Sequence, residues 1–124
     1  REKKPEAGQA LVRCIRADAS HLDFVCDAQM DAVVSVWALH EMQDTDRVLC
    51  EAYRVLRPGG TMLIVDFPKG SLAQRLWNED YLKPAEVSTL LRNAGFVRVS
   101  VRTILSGQVT WAVGFRPPDA VTKA

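Results

Sequence analysis

Three stretches of this chain carry side chains that accept, donate or titrate, and each follows an apolar segment: Asp18-Ala19-Ser20, Ala38-Leu39-His40-Glu41 and Asp66-Phe67-Pro68. An aspartate in that position either accepts a hydrogen bond from a ligand or caps the turn that follows it. His40 is the one group in its stretch whose ordinary pKa lies near neutrality, which makes it the candidate general base. Asp66 reads as a site-edge or turn residue rather than a catalyst. His21, Cys26 and His40 are the nearest approach to a metal-ligand set. Their spacing is irregular and no fourth ligand accompanies them, so no metal is expected. Cys14 and Cys50 fall on apolar faces and read as small core residues. Three cysteines without Cys-x-x-Cys spacing also argue against a disulfide framework.

Hydrophobic periodicity defines the elements that must position these groups. Ala10 to Ala17, with Leu11, Val12, Cys14 and Ile15, reads as a short strand ended by Asp18. Ser20 to Gln29 reads as a short helix or an ordered loop. Ala32 to Leu39 is nearly all apolar, the pattern of a central, parallel strand covered on both faces. Asp44 or Thr45 caps a helix with Val48, Ala52, Val55 and Leu56 turned inward. Arg47, Glu51 and Arg54 take its solvated side, where Glu51 and Arg54 form an exposed pair. Arg57-Pro58-Gly59-Gly60 is a turn into the strand Thr61 to Val65, closed by Asp66.

Leu72, Leu76 and Trp77 suggest a short helix, and the aromatic pair Trp77 and Tyr81 reads as an apolar helix face or as the cover of an acceptor pocket. Pro84 opens a further helix with Val87, Leu90, Leu91 and Ala94 inward and Gly95 at its end. Val97, Val99 and Val101, then Val109, Trp111, Val113 and Phe115, alternate with a period of two. They predict an antiparallel hairpin at a sheet edge, stopped by Pro117-Pro118.

The chain has 124 residues, 48% of them hydrophobic, with 16 Lys and Arg against 15 Asp and Glu. This is the make-up of one globular domain. A net charge of +1 provides no field for a phosphate backbone, so no nucleic-acid partner is expected. No apolar stretch reaches the roughly 18 to 20 residues that cross a bilayer, and Arg1 to Glu6 lacks the apolar core of a secretory signal. The expected location is cytoplasmic, with no membrane partner. Alternating strands and helices predict an α/β, doubly wound sheet, whose ligands bind beyond the carboxyl ends of the parallel strands.

The segments Asp31-Ala-Val-Val-Ser-Val-Trp-Ala-Leu-His-Glu41, Glu51-Ala-Tyr-Arg-Val-Leu-Arg-Pro-Gly-Gly60, the apolar strand ending in Asp66, and Leu90-Leu-Arg-Asn-Ala-Gly-Phe96 carry a resemblance, in order and spacing. They resemble the C-terminal two thirds of a class I S-adenosylmethionine-dependent methyltransferase of the small-molecule type. The resemblance implies a Rossmann-like, mostly parallel sheet with a C-terminal antiparallel hairpin. S-adenosylmethionine is the implied cofactor. Asp18 is implied to accept from its adenine amino group, with the Ala19 amide facing the ring and Leu22 or Phe24 packed nearby. Trp37, Ala38, His40 and Glu41 are implied to approach the methionine end and the acceptor.

The family's glycine-rich loop and its ribose-binding acid would precede Arg1, so residues 1–124 are expected to form one incomplete domain whose N-terminal strands are missing. Pairing with a missing N-terminal half, or a homodimer, is then expected along the strand Ala32 to Trp37. The acceptor is expected to be a small molecule, because the Asn/Asp-Pro-Pro-aromatic and Pro-Cys signatures of nucleic-acid methyltransferases are absent from Trp37 to His40. A non-catalytic interaction or oligomerisation module is the alternative. Nicotinamide or nucleotide binding on a similar sheet is a third, disfavoured because no phosphate-binding loop is present.

Overall fold

The computed structural model describes residues 11–119. They form β1 (Met30–Val36), a 3-10 turn (Leu39–Glu41), α1 (Thr45–Val55), β2 (Leu56–Asp66), α2 (Leu72–Trp77), α3 (Pro84–Asn93), β3 (Val97–Ile104) and β4 (Val109–Phe115). Asp44 starts α1 by accepting the Arg47 N–H at 3.1 Å, one of the donors that a helix start leaves unpaired. Pro84, which has no N–H to lose there, opens α3, and the Glu86 carboxylate accepts the Lys83 N–H at 3.1 Å.

The four strands lie in the order β1-β2-β4-β3. β1 runs parallel to β2, from Ala32 opposite Thr61 to Val36 opposite Val65. β4 is antiparallel to both of its neighbours. Strand side chains alternate between faces, so Met62 and Ile64 of β2 and Ala112 of β4 point one way. There they pack with Leu49 and Ala52 of α1, Val87 and Leu91 of α3, and Phe96 to form the core. On the other face Val34 is 57% and Val36 49% exposed.

The structure corrects several expectations. Residues 11–17 form no regular element and join no ladder, and Leu11, Val12 and Ile15 are exposed. Ala10 lies outside the described residues. Apolar content makes a strand only where a partner receives the backbone hydrogen bonds, and none is offered here among the described residues. Among the described residues β1 is therefore an edge strand rather than a central one, and is not covered on both faces. In the C-terminal hairpin only β3 is at the edge, while β4 is inserted beside β2 with Val109, Thr110 and Ala112 buried. Cys14 and Cys50 are exposed and take no part in the core.

Arg57 to Gly60 is a bulge within β2, not a turn ahead of it. Between the pairs Met30–Leu56 and Ala32–Thr61, β1 advances two residues and β2 five. Gly59 adopts φ 79°, and a Cβ on Gly60 would come within 2.8 Å of the Arg57 carbonyl and 3.2 Å of the Asp31 carbonyl. Both glycines are thus required, one by backbone conformation and one by close approach.

Candidate functional site

Loop 17–20 and the segment leading into α1 bound a cleft of about 430 Å³, lined by Asp18, Ala19, Ser20, Glu41, Met42 and Asp44 among others. Asp18 is exposed. Its Oδ1 accepts from the Ser20 N–H at 2.9 Å and the Ser20 hydroxyl at 2.7 Å, and these bonds hold its pKa below the usual carboxylate value. Oδ2 accepts nothing among the described residues, so Asp18 caps the turn and retains acceptor capacity.

This loop is tied to α1 by the face expected to be solvated. Glu51 is 4% exposed, which corrects its reading as half of a surface pair. One of its oxygens accepts the Leu22 N–H at 2.7 Å, and Arg54 donates to the carboxylate at 2.9 and 3.1 Å. The Arg54 hydrogen bonds and then the Leu22 N–H outweigh burial and bring the Glu51 pKa down to about 2. Sequence reasoning missed this residue. Its main loop partner is a backbone group 29 positions away, which leaves no mark in residue spacing.

The 3-10 turn after β1 presents His40, whose side chain is 5% exposed. Asp66, at the end of β2, receives the His40 backbone N–H at 3.0 Å, His40 Nδ1 at 2.8 Å and the Phe67 N–H at 2.8 Å. Nε2 lies 2.7 Å from Glu79. Carboxylates at neutral pH only accept, so both ring nitrogens donate and the ring is an imidazolium in this arrangement. Burial opposes that charge, but the hydrogen bonds and charges of Asp66 and Glu79 outweigh it, and the His40 pKa is raised. Glu41 lies 3.8 Å from Nε2. Among the described residues, the donors that gather within metal-binding distance of His40 are therefore Glu41 and Glu79, not His21 and Cys26.

Trp37 follows β1 directly at φ 56°, a left-handed conformation that costs energy for a bulky residue and that recurs at functional sites. Its N–H reaches the Val65 carbonyl at 2.8 Å, and its indole stacks on Phe67 at 4.3 Å. Phe67 also meets Trp77 at 5.7 Å and Tyr81 at 5.8 Å, and Tyr81 lies 4.4 Å from His40. Trp37 and Trp77 remain exposed. The strand ends thus carry an aromatic wall next to a buried carboxylate–imidazole pair. Asp18 and Ala19 line the cleft, and Glu41 connects it to His40. Trp37 and Ala38 sit where β1 leaves the sheet.

Residues 1–64 match the family described as "Methyltransferase domain". The ubiquinone/menaquinone biosynthesis C-methyltransferase UbiE of Haemophilus ducreyi is 40% identical over 58 residues, covering 47% of this chain and 22% of the relative. The demethylmenaquinone methyltransferase of Streptomyces avermitilis is 30% identical over 129 aligned positions, covering 80% of this chain and 55% of the relative. The chain thus matches between about a fifth and just over half of these relatives' lengths. A SAM-dependent methyltransferase from Thermotoga maritima superposes with a TM-score of 0.73 at 21% identity, over 82% of this chain and 63% of that one. With the profile match extending over half of its residues, and the four-stranded α/β sheet shared with a solved methyltransferase, the chain belongs to the methyltransferase-domain family.

Proposed function

We propose that the chain forms the acceptor-facing part of an S-adenosylmethionine-dependent methyltransferase that methylates a small molecule with a planar ring of the quinol type. The aromatic wall of Trp37, Phe67 and Trp77 beside the Asp66–His40 pair carries this reading, because stacked faces suit a flat ring and the pair suits its hydroxyl. The names of the quinone-pathway relatives point the same way. When bound, the cofactor supplies an electrophilic sulfonium methyl group. The chain's own residues fit its adenosine end: Asp18 retains an acceptor oxygen, Ala19 and Met42 offer apolar surface, and Glu41 leads toward the reacting end.

In this proposal His40 is the base. Asp66 fixes the ring through Nδ1, and Nε2 takes the acceptor's proton once the exposed Glu79 has given way to the acceptor. Because the neutral ring is required and Asp66 and Glu79 raise its pKa in the free chain, kcat/KM climbs with pH on a limb centred above 6.5. Trp37 and Ala38 flank the reacting end. Methyl transfer from labelled S-adenosylmethionine to a demethylated quinol, with an alkylamine as comparison, tests the reading. Transfer to the quinol with a His40→Ala loss of roughly 10² in turnover is expected. Transfer to the amine alone, or His40→Ala turning over normally, refutes it.

Two further points belong to this proposal. The edge of β1, unpaired among the described residues and with Val34 and Val36 exposed beside it, supports pairing with another strand, in a homodimer or with a preceding half-domain. No helix among the described residues is long and apolar enough to cross a membrane, which is compatible with a cytoplasmic site of action. Sedimentation equilibrium showing a well-folded monomer at micromolar concentration would count against the dimer.

A further inference from the structure

Loop 20–28 runs across the polar face of α1 with almost no apolar anchorage. Val25 is buried, but Leu22 is only half-buried and Phe24 is 52% exposed. A loop held by so little apolar surface would sample many shapes unless polar contacts fixed it. Such contacts are present and come from three side chains of one helix face. Arg47 donates to the Ser20 carbonyl at 3.1 Å. Glu51 accepts the Leu22 N–H at 2.7 Å. Arg54 donates to the Leu22 carbonyl at 2.9 Å, the Val25 carbonyl at 3.0 Å and Asp27 at 2.7 Å.

Most of these bonds go to main-chain atoms, so they set the path of the loop whatever its side chains are. Glu51 is the pivot. It is the one member that is buried, and it engages both the loop and Arg54, whose guanidinium would lose its two-point carboxylate partner without it. Two residues before Leu22, Ser20 provides both bonds that hold Asp18 at the rim of the cleft.

We infer that Glu51, locked by Arg54 and seconded by Arg47, is a positioning residue that fixes loop 18–25 in the shape presenting Asp18 and Ala19 to the cofactor. It touches no ligand and acts only through the loop. This rests on the reading of the Asp18 cleft as the cofactor site, and Asp18→Ala provides the control for that reading.

The experiment combines S-adenosylmethionine titration, hydrogen exchange and steady-state kinetics on the parent, Glu51→Ala, Glu51→Gln and Asp18→Ala. Glu51→Ala is expected to speed exchange of the 20–27 amides and to raise the dissociation constant and the cofactor KM about tenfold, with a much smaller change in kcat. Glu51→Gln keeps an acceptor for Leu22 but loses the negative charge that faces Arg54, so it should fall between the parent and Glu51→Ala; it also serves as the folded variant should the alanine not fold. Asp18→Ala should weaken binding while leaving exchange at Leu22 slow. If Asp18→Ala weakens binding and neither Glu51 variant does, the inference fails and the cofactor reading stands. If none of the three affects binding, the cofactor reading fails and the inference with it.

Discussion

Glu51 also makes the acid stability of the fold predictable. Its carboxylate titrates at about 2 in the folded chain against 4.5 for the unperturbed group. A depressed folded pKa contributes stability that is fully present above 4.5 and is lost as pH falls through about 2. At 1.36 kcal/mol per unit the full shift corresponds to about 3 kcal/mol. That is an upper bound, because the Arg54 side chain is 31% exposed and water screens the pair; about 1 to 2 kcal/mol is the discounted figure. Glu51→Gln, which cannot titrate, should therefore be less stable than the parent by about that amount at pH 7. The gap should narrow below pH 4.5 and close near pH 2. Urea unfolding followed by tryptophan fluorescence at pH 7, 4 and 2.5 measures it. A gap that stays constant across these pH values would show that Glu51 contributes only packing or a neutral hydrogen bond, and the ion-pair account would be wrong.

Gly60→Ala should cost about 1 to 3 kcal/mol in denaturant unfolding, since its Cβ would meet backbone oxygens on both β1 and the bulge that cannot rotate away. A normal midpoint would show that the bulge yields. Leu49→Ala removes a fully buried side chain from the centre of the core and should cost about 2 to 5 kcal/mol by the same measurement. In NMR titrations the His40 ring should lose its proton above pH 6.5, and Asp66→Asn should lower that midpoint. The linked stability is complete below the unfolded value of about 6.5 and is lost as pH rises through the raised folded value. A His40 midpoint at or below 6.5 would remove the two-carboxylate arrangement from solution.

Local rules carry the parts of this protein that depend on neighbours in sequence. Asp44 capping α1, Pro84 opening α3 and the strand character of Val109 to Phe115 are settled within a few residues, so composition and spacing reveal them. Asp18, His40 and Asp66 stand out in the sequence as candidates because each follows an apolar run, but only His40 and Asp66 lie at the ends of strands of the sheet.

What the chain does with those groups depends on partners far along it. A helical wheel gives Glu51 the same polar face whether water or a loop covers it, and only folding puts Leu22 there. The apolar runs at Leu11 to Ile15 and at Ala32 to Val36 look alike, yet one joins no ladder and the other pairs on one side, because pairing belongs to two strands and not to one. Glu79 reaches His40 across 39 positions, and together with Asp66 it raises the pKa of the ring. Periodicity reports which side of an element avoids water. Which atoms replace the water, and so the pKa of Glu51 and the proton on His40, is decided by distances that exist only in the folded chain.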